Sequence, residues 1–213
     1  MAKKPVIIFF IFKFSTTLPF LCHPFFKFVI LCKSLNGNKM MEIKNLKTER
    51  LMLRPMSVAD APFILELYNS PKFIEFIGDR KLRTLEDAEN YIQEKFFPQI
   101  QRLGYGNYLI VRKSDNAKIG SVGIFERDGL DVHDIGFSFL DEFQGQGYGF
   151  EAASKLLEKA FSDFGITKVS AITVTENIAS RKLIEKLGLK YVKMVQLPGD
   201  EVELMYYETE KFK

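Results

Sequence analysis

Tryptophan is absent from this 213-residue chain, and cysteine and histidine occur only twice each. Cys22, Cys32 and His23 all fall in the first forty residues, so residues 41–213 hold no cysteine and a single histidine, His133. That part lacks the sulfur for a disulfide framework, and with no cysteine and one histidine no zinc or other metal chemistry is expected of it. Acid is missing from the first forty residues, which carry six lysines and eight of the 21 phenylalanines. A long apolar run is missing too. The longest uncharged stretch there, Phe14 to Phe26, is shorter than the ~20 residues of a membrane helix and contains Pro19 and Pro24. Lys3 and Lys4 ahead of Val6 to Phe12 look like the start of a signal peptide. However, Lys13 interrupts the apolar run and no small-x-small cleavage site follows.

The net charge of +3 belongs to this segment alone. Without its six lysines, 24 basic residues face 27 acidic ones, a net charge of −3. The chain's basicity therefore gives no support to nucleic-acid binding. We read residues 1–40 as an atypical Phe/Lys-rich extension. It resembles translated non-coding sequence ahead of Met40 and Met41, or a stretch with no fold of its own; a membrane-surface anchor is the alternative. Residues 41–213 suffice for one substantial core and one domain. A cytoplasmic chain with no stable membrane span is expected, as a monomer or a homodimer.

Within the domain, strand-like runs occupy about 49–56, 107–113, 118–126, 133–140, 167–175, 190–196 and 203–210. Ser57-x-x-Asp60 and Thr84-x-x-Asp87 are variant capping boxes, each opening an apolar-periodic helix. Helical patterns over 152–164 and 178–187 stop at Gly165 and Gly188, as helix C-caps do. The order is β α α β β β α β α β β: an α+β domain of about seven strands and about four helices around one central sheet. Between the strand at 133–140 and the helix after it lies Gln144-Gly145-Gln146-Gly147-Tyr148-Gly149. Glycines there free the backbone for close approach, and a helix start supplies oriented N–H groups, so the turn suits a phosphate or pyrophosphate. A tight turn with no ligand is the alternative. A Walker loop is excluded, because Gly149 is followed by Phe150 and Glu151 rather than by Lys and Ser or Thr. The spacing also misses the dinucleotide fingerprint.

The remaining pattern, Gln-x-x-Gly-x-Gly, resembles the acyl-CoA signature of the GCN5-related N-acetyltransferases, the GNAT superfamily. Thr48-Glu49-Arg50-Leu51-Met52-Leu53-Arg54 is similar to the first strand of its ribosomal-protein N-terminal acetyltransferase-like subgroup. Asp134-Ile135-Gly136-Phe137 resembles the strand leading into the CoA loop. Asn177-Ile178-Ala179-Ser180, then Glu185-Lys186-Leu187-Gly188, resembles the second motif, with Leu189 where Phe is usual. These motifs lie in the family's order across residues 41–213.

The resemblance implies a mixed, mostly antiparallel sheet whose strands 4 and 5 (133–140 and 167–175) splay to admit the pantetheine of acetyl-CoA. Acetyl-CoA is then a cosubstrate, held by Phe137, Ser138, Phe139, Gln144, Gly145, Gln146, Gly147, Tyr148, Gly149 and Asn177. The acceptor is an amine, either a protein N-terminus or a small molecule, that attacks the thioester directly. Asn177 is both a helix N-cap and a pantetheine contact, and Ser180 a proton donor to the departing thiolate. Asp134 shares a strand face with Gly136 and Ser138 and is the candidate base, with Glu126, Asp128 and His133 as rivals. Asp79, Arg80 and Glu126 are candidate substrate contacts, and Asp79 with Arg80 could equally be a structural ion pair. A non-catalytic acyl-CoA-binding or sensing domain is the alternative function. For the extension, intact-mass measurement on protein from its native source is expected to show a start at Met40 or Met41; a mass matching all 213 residues would refute that.

Overall fold

The computed structural model describes residues 43–210; the expectations for residues 1–40 lie outside them. Runs of β-branched and aromatic residues, cut by polar turns, give eight strands in one sheet. They are β1 (Leu46–Lys47), β2 (Leu51–Pro55), β3 (Asn107–Arg112), β4 (Lys118–Phe125), β5 (Asp134–Phe139), β6 (Lys168–Thr173), β7 (Lys190–Gln196) and β8 (Glu203–Glu210). Their spatial order is β1-β2-β3-β4-β5-β6-β8-β7. Every neighbouring pair is antiparallel except β5 and β6. The strand beyond the expected seven is β1, whose two residues are too few to show alternation.

Among the described residues, six α-helices accompany the sheet: α1 (Ala61–Tyr68), α2 (Pro71–Ile77), α3 (Leu85–Tyr91), α4 (Phe97–Leu103), α5 (Tyr148–Ser162) and α6 (Ile178–Lys186). Two prolines account for the excess over four. Pro71 opens α2 and holds Ser70 extended (φ −64°, ψ 144°), which ends the first helical run. Pro98 has no N–H and crowds the carbonyl four residues before it. The chain accommodates it with a π-helical turn over Ile92–Phe96, in which the Phe97 N–H reaches back to the Ile92 carbonyl, before α4 continues.

Alternation along β3 divides the core into two layers. Tyr108 and Ile110 face α5, where Ala152, Ala153, Leu156 and Ala160 pack with Leu53, Val122 and Ile135. Leu109 and Val111 face the other way, against Phe63, Ile64 and Leu67 of α1, Ala88 of α3, and Ile92. At Thr84 the capping box closes as the spacing implies: its Oγ1 accepts from the Asp87 N–H (3.1 Å) and its own N–H donates to the Asp87 carboxylate (2.8 Å).

The Ser57 box works differently. The buried Asp60 carboxylate accepts from the Ser57 N–H (2.9 Å), and it also takes both Nη atoms of Arg54 (2.7 and 2.6 Å) and Lys118 Nζ (2.8 Å). Asp60 thus pins the entry of α1 to β2 and β4. Burial raises its pKa, but the bonds from Arg54, Lys118 and Ser57 outweigh that and hold the carboxyl well below the usual carboxylate range. A depressed pKa contributes stability above the unfolded-state value of ~3.9, and that stability is lost as pH falls through the folded-state value. Asp60→Asn should therefore lower the urea midpoint at pH 7 and narrow its difference from the parent progressively below pH 4. Leu156→Ala, which empties a fully buried site under the sheet, should cost about 3 kcal/mol with no such pH dependence.

Candidate active site

Strands β5 and β6 run parallel and register at one pair, Asp134 opposite Ser170. There the Ser170 N–H donates to the His133 carbonyl at 2.8 Å. Beyond it each strand keeps only its outer neighbour: β5 follows β4 up to Phe139 opposite Gly120, and β6 follows β8 up to Thr173 opposite Met205. The sheet opens into a wedge, as the sequence implied for these two strands. Phe137, Ser138 and Phe139 lie on the β5 side of the opening.

The wedge leads to the glycine turn. After β5 the chain makes a 3-10 turn at Asp141–Phe143 and then takes two left-handed residues, Gly145 (φ 72°) and Gly147 (φ 82°), the latter capping α5. Only glycine enters that region without steric cost. Among the described residues, the N–H groups of Gly145, Gln146 and Gly147 donate to no backbone or side-chain acceptor. Those of the first turn of α5 have none within the helix by geometry. Several donors are thus left without a protein acceptor at the positive end of a 15-residue helix.

The side chains around the turn brace it. Gln144 Nε2 bonds the Phe139 carbonyl (3.1 Å) and Asp141 Oδ1 (2.9 Å), its Oε1 accepts from Lys72 Nζ (2.9 Å), and Gln146 Nε2 bonds the Glu142 carbonyl (2.6 Å). Tyr148 is buried. Gly149 serves packing, since a Cβ there would stand 3.0 Å from Leu183 of α6 and 3.5 Å from the Phe139 ring. Beside the turn lies a cavity of about 750 Å³ whose lining includes Arg50, Gly147, Phe150 and Lys186.

Asn177 caps α6 after β6, its side chain accepting from the Ser180 N–H at 3.0 Å. That bond fixes the first turn of α6. Ser180 is half-buried, and its Oγ has no hydrogen-bond partner among the described residues. Asp134 lies at the vertex of the wedge, on the same sheet face as Gly136 and Ser138. Both its oxygens are held by Arg127, at 3.1 and 3.0 Å. Burial pushes the Asp134 carboxyl up from its ordinary range, against the opposing pull of Arg127.

The other charged candidates are dispersed. Glu126 pairs with Arg102, which holds its carboxyl below the usual range, and lies 3.7 Å from His133. His133 Nε2 meets the Tyr105 hydroxyl at 3.0 Å. Asp79 pairs with Arg83 at 2.5 Å rather than with Arg80, whose guanidinium bonds no described residue. The alternative of an Asp79–Arg80 ion pair is not what forms: Asp79 is taken by Arg83, four residues on in the loop between α2 and α3. Asp128 is exposed in the loop between β4 and β5.

Sequence reasoning gave no part in this site to Arg127, Asn107 or Glu151, and Arg50 entered only as part of a strand motif. Asn107 is buried with its Oδ1 unpartnered, and lies opposite Gly123, which in turn lies opposite Gly136. The Phe125 ring covers both glycines: a Cβ on Gly123 would stand 2.3 Å from it and one on Gly136 3.1 Å. No periodicity marks such a row, because its members come from three strands. Among the described residues, no helix is long and apolar enough to cross a membrane, and no acid, histidine or cysteine cluster could hold a metal.

Comparison with known proteins agrees with this geometry. The family model described as an acetyltransferase (GNAT) domain matches residues 50–190. The uncharacterized N-acetyltransferase YoaA of Bacillus subtilis is 27% identical over 148 residues, covering 68% of this chain and 82% of that protein. Among solved structures, an acetyltransferase from Agrobacterium tumefaciens superposes with a TM-score of 0.69 at 23% identity, covering 83% of this chain and 99% of that one. RimL, a ribosomal L7/L12 alpha-N-protein acetyltransferase in complex with coenzyme A, superposes with a TM-score of 0.66 at 18% identity, covering 81% and 98%. Wedge, glycine turn and matched domain together show that the chain belongs to the GNAT acetyltransferases and is an N-acetyltransferase.

Proposed function

We propose that this chain acetylates a primary amine by direct attack on acetyl-CoA, bound with its pyrophosphate on the Gln144–Gly149 turn and its pantetheine in the wedge. One observation carries the reading: backbone donors without protein acceptors run from the start of α5 into an opening in the sheet. A pyrophosphate satisfies the first set, and the pantetheine amides satisfy the unpaired edges of β5 and β6. Acceptors of two classes, peptide N-termini and small-molecule amines, suit this chemistry. RimL's described action on a ribosomal protein is the reason to place peptides in the first set tried.

The protein's part in the reaction is to orient and to move protons. The amine nitrogen forms a bond to the thioester carbonyl carbon, the C–S bond breaks, and the amine loses a proton while the sulfur gains one. Asp134 takes the amine proton, directly or through one water, on the lone pairs that Arg127 leaves free, and Arg127 fixes the carboxylate's orientation. Its raised pKa makes it a stronger base than an ordinary carboxylate. Ser180, set by the Asn177 cap, protonates the thiolate. Asn177 adds a hydrogen bond toward the pantetheine. Arg80, exposed between α2 and α3 and without an ion-pair partner among the described residues, and Glu126 are proposed contacts to the acceptor.

An acceptor screen with acetyl-CoA, using peptides with Ala or Ser N-termini beside polyamines and amino acids, tests the proposal by CoA release. Binding of CoA with no release on any acceptor would favour a sensing domain instead. Ser180→Ala should lower kcat about tenfold or more while leaving the Kd for CoA unchanged. The kcat/KM profile should rise with pH through an acid limb lying above the usual carboxylate range, and a folded Asp134→Asn variant should lose that limb. Gly147→Val, which forces a β-branched residue to positive φ, should weaken CoA binding by at least about tenfold by calorimetry.

A further inference from the structure

Arg50 reaches the donor turn from the turn between β1 and β2 and grips it at three points. Its Nε bonds Glu151 Oε2 at 2.6 Å, its Nη1 donates to the Gln146 carbonyl at 3.0 Å, and its guanidinium lies 4.5 Å over the Tyr148 ring. Glu151, in the first turn of α5, completes the clasp: its Oε1 accepts from Thr48 Oγ1 at 2.5 Å and from the Arg50 N–H at 2.8 Å.

We infer that Arg50 is a positioning residue for the donor pyrophosphate, holding the Gln146–Gly147 peptide so that its N–H points into the anion site. The inference rests on the reading of the turn given above. The described residues include no cis peptide, and in a trans peptide the C=O and N–H point in opposite directions. A Gln146 carbonyl tied to Arg50 on one side therefore turns the Gly147 N–H to the other. With glycine at 145 and 147, little else prevents that plane from flipping, and a flipped plane would present a carbonyl oxygen to the phosphate.

Charge points the same way. Glu151 places a carboxylate on the first helical turn, where it would repel an incoming anion. Arg50 and the Thr48 hydroxyl occupy both its oxygens. The Arg50 side chain is 43% exposed, and ion pairs open to solvent add little to global stability. The clasp acts on local geometry, not on the fold. Lysine cannot replace it, because one ammonium cannot bond Glu151 and the Gln146 carbonyl in a planar fork while stacking on Tyr148.

The experiment compares two donors that share a thioester and pantetheine but differ in the phosphates: acetyl-CoA and S-acetylpantetheine. Arg50→Gln should raise the KM for acetyl-CoA about tenfold or more, with kcat at saturation within about twofold of the parent. Its kcat/KM with S-acetylpantetheine should match the parent, and its Tm should stay close. Arg50→Lys should stay impaired with acetyl-CoA. Equal losses with both donors would make Arg50 a general structural residue and overturn the inference, as would an unchanged KM for acetyl-CoA. Full recovery in the lysine variant would also overturn it, by reducing the role to charge. If the parent itself shows no preference for acetyl-CoA over S-acetylpantetheine, the reading of the turn fails first, and the inference with it.

Discussion

After the single pair of Asp134 and Ser170, β5 and β6 part, and the sheet gives up hydrogen bonds that an unbroken one would keep. Unpaired backbone groups are costly unless something else satisfies them. The surrounding architecture keeps the two strands from closing. β4 holds β5 along its whole length, with six registered pairs, and β8 holds β6 with six more. α5 spans the same side, packing Ala152, Leu156 and Ala160 against residues of both halves. The vertex is fixed by Ser170, whose Oγ lies within 3.3 Å of the Val132 and His133 carbonyls, and by the buried Asp134 held by the half-buried Arg127.

The charged candidates are largely neutralised within the protein. Arg127 faces Asp134, Arg102 faces Glu126, Arg83 faces Asp79, and Arg50 faces Glu151. Of the cations near the α1–α3 side of the sheet, Arg80 has no such partner among the described residues. The same side presents the small residues Gly123, Gly136, Ser121 and Ser138, with the two serine hydroxyls 3.1 Å apart. Bulk enters this row only through Phe125, whose ring lies across the glycines. On the proposed reading, an acceptor that reaches Asp134 along this row meets the Phe125 ring, with Arg80 as the exposed cation on that side.

Local features were legible in the sequence, and long-range pairings were not. The box at Thr84 and Asp87, the Asn177 cap and the Gly145-x-Gly147-x-Gly149 turn each depend on neighbours within a few residues, so spacing alone identifies them. The wedge followed from the order of motifs and their resemblance to a family, because nothing in the strands at 134–139 or 168–173 announces that they will part. Pro71 and Pro98 were visible, but their effects on the helical runs required knowing that packing would continue the helix past them. The clasp of Arg50 on Glu151 joins residues 101 positions apart. The Arg127–Asp134 pair spans a loop whose other charges read equally well as solvated. Charged side chains report their partners only once the chain has folded.

Gly149 fixes a length as well as a contact. Because no side chain separates α5 from Leu183 of α6 at that point, the helix that starts at the donor turn and the helix that starts at Asn177 form one packed unit. On the proposed reading, the first anchors the donor's phosphates and the second presents the Ser180 hydroxyl to its sulfur. The span between those two anchors is then a ruler set by backbone contact, which measures the donor's arm instead of recognising its tip. Selection for coenzyme A over shorter or longer thioesters would come from where the carbonyl falls along that ruler, with no residue required to touch the acyl group itself.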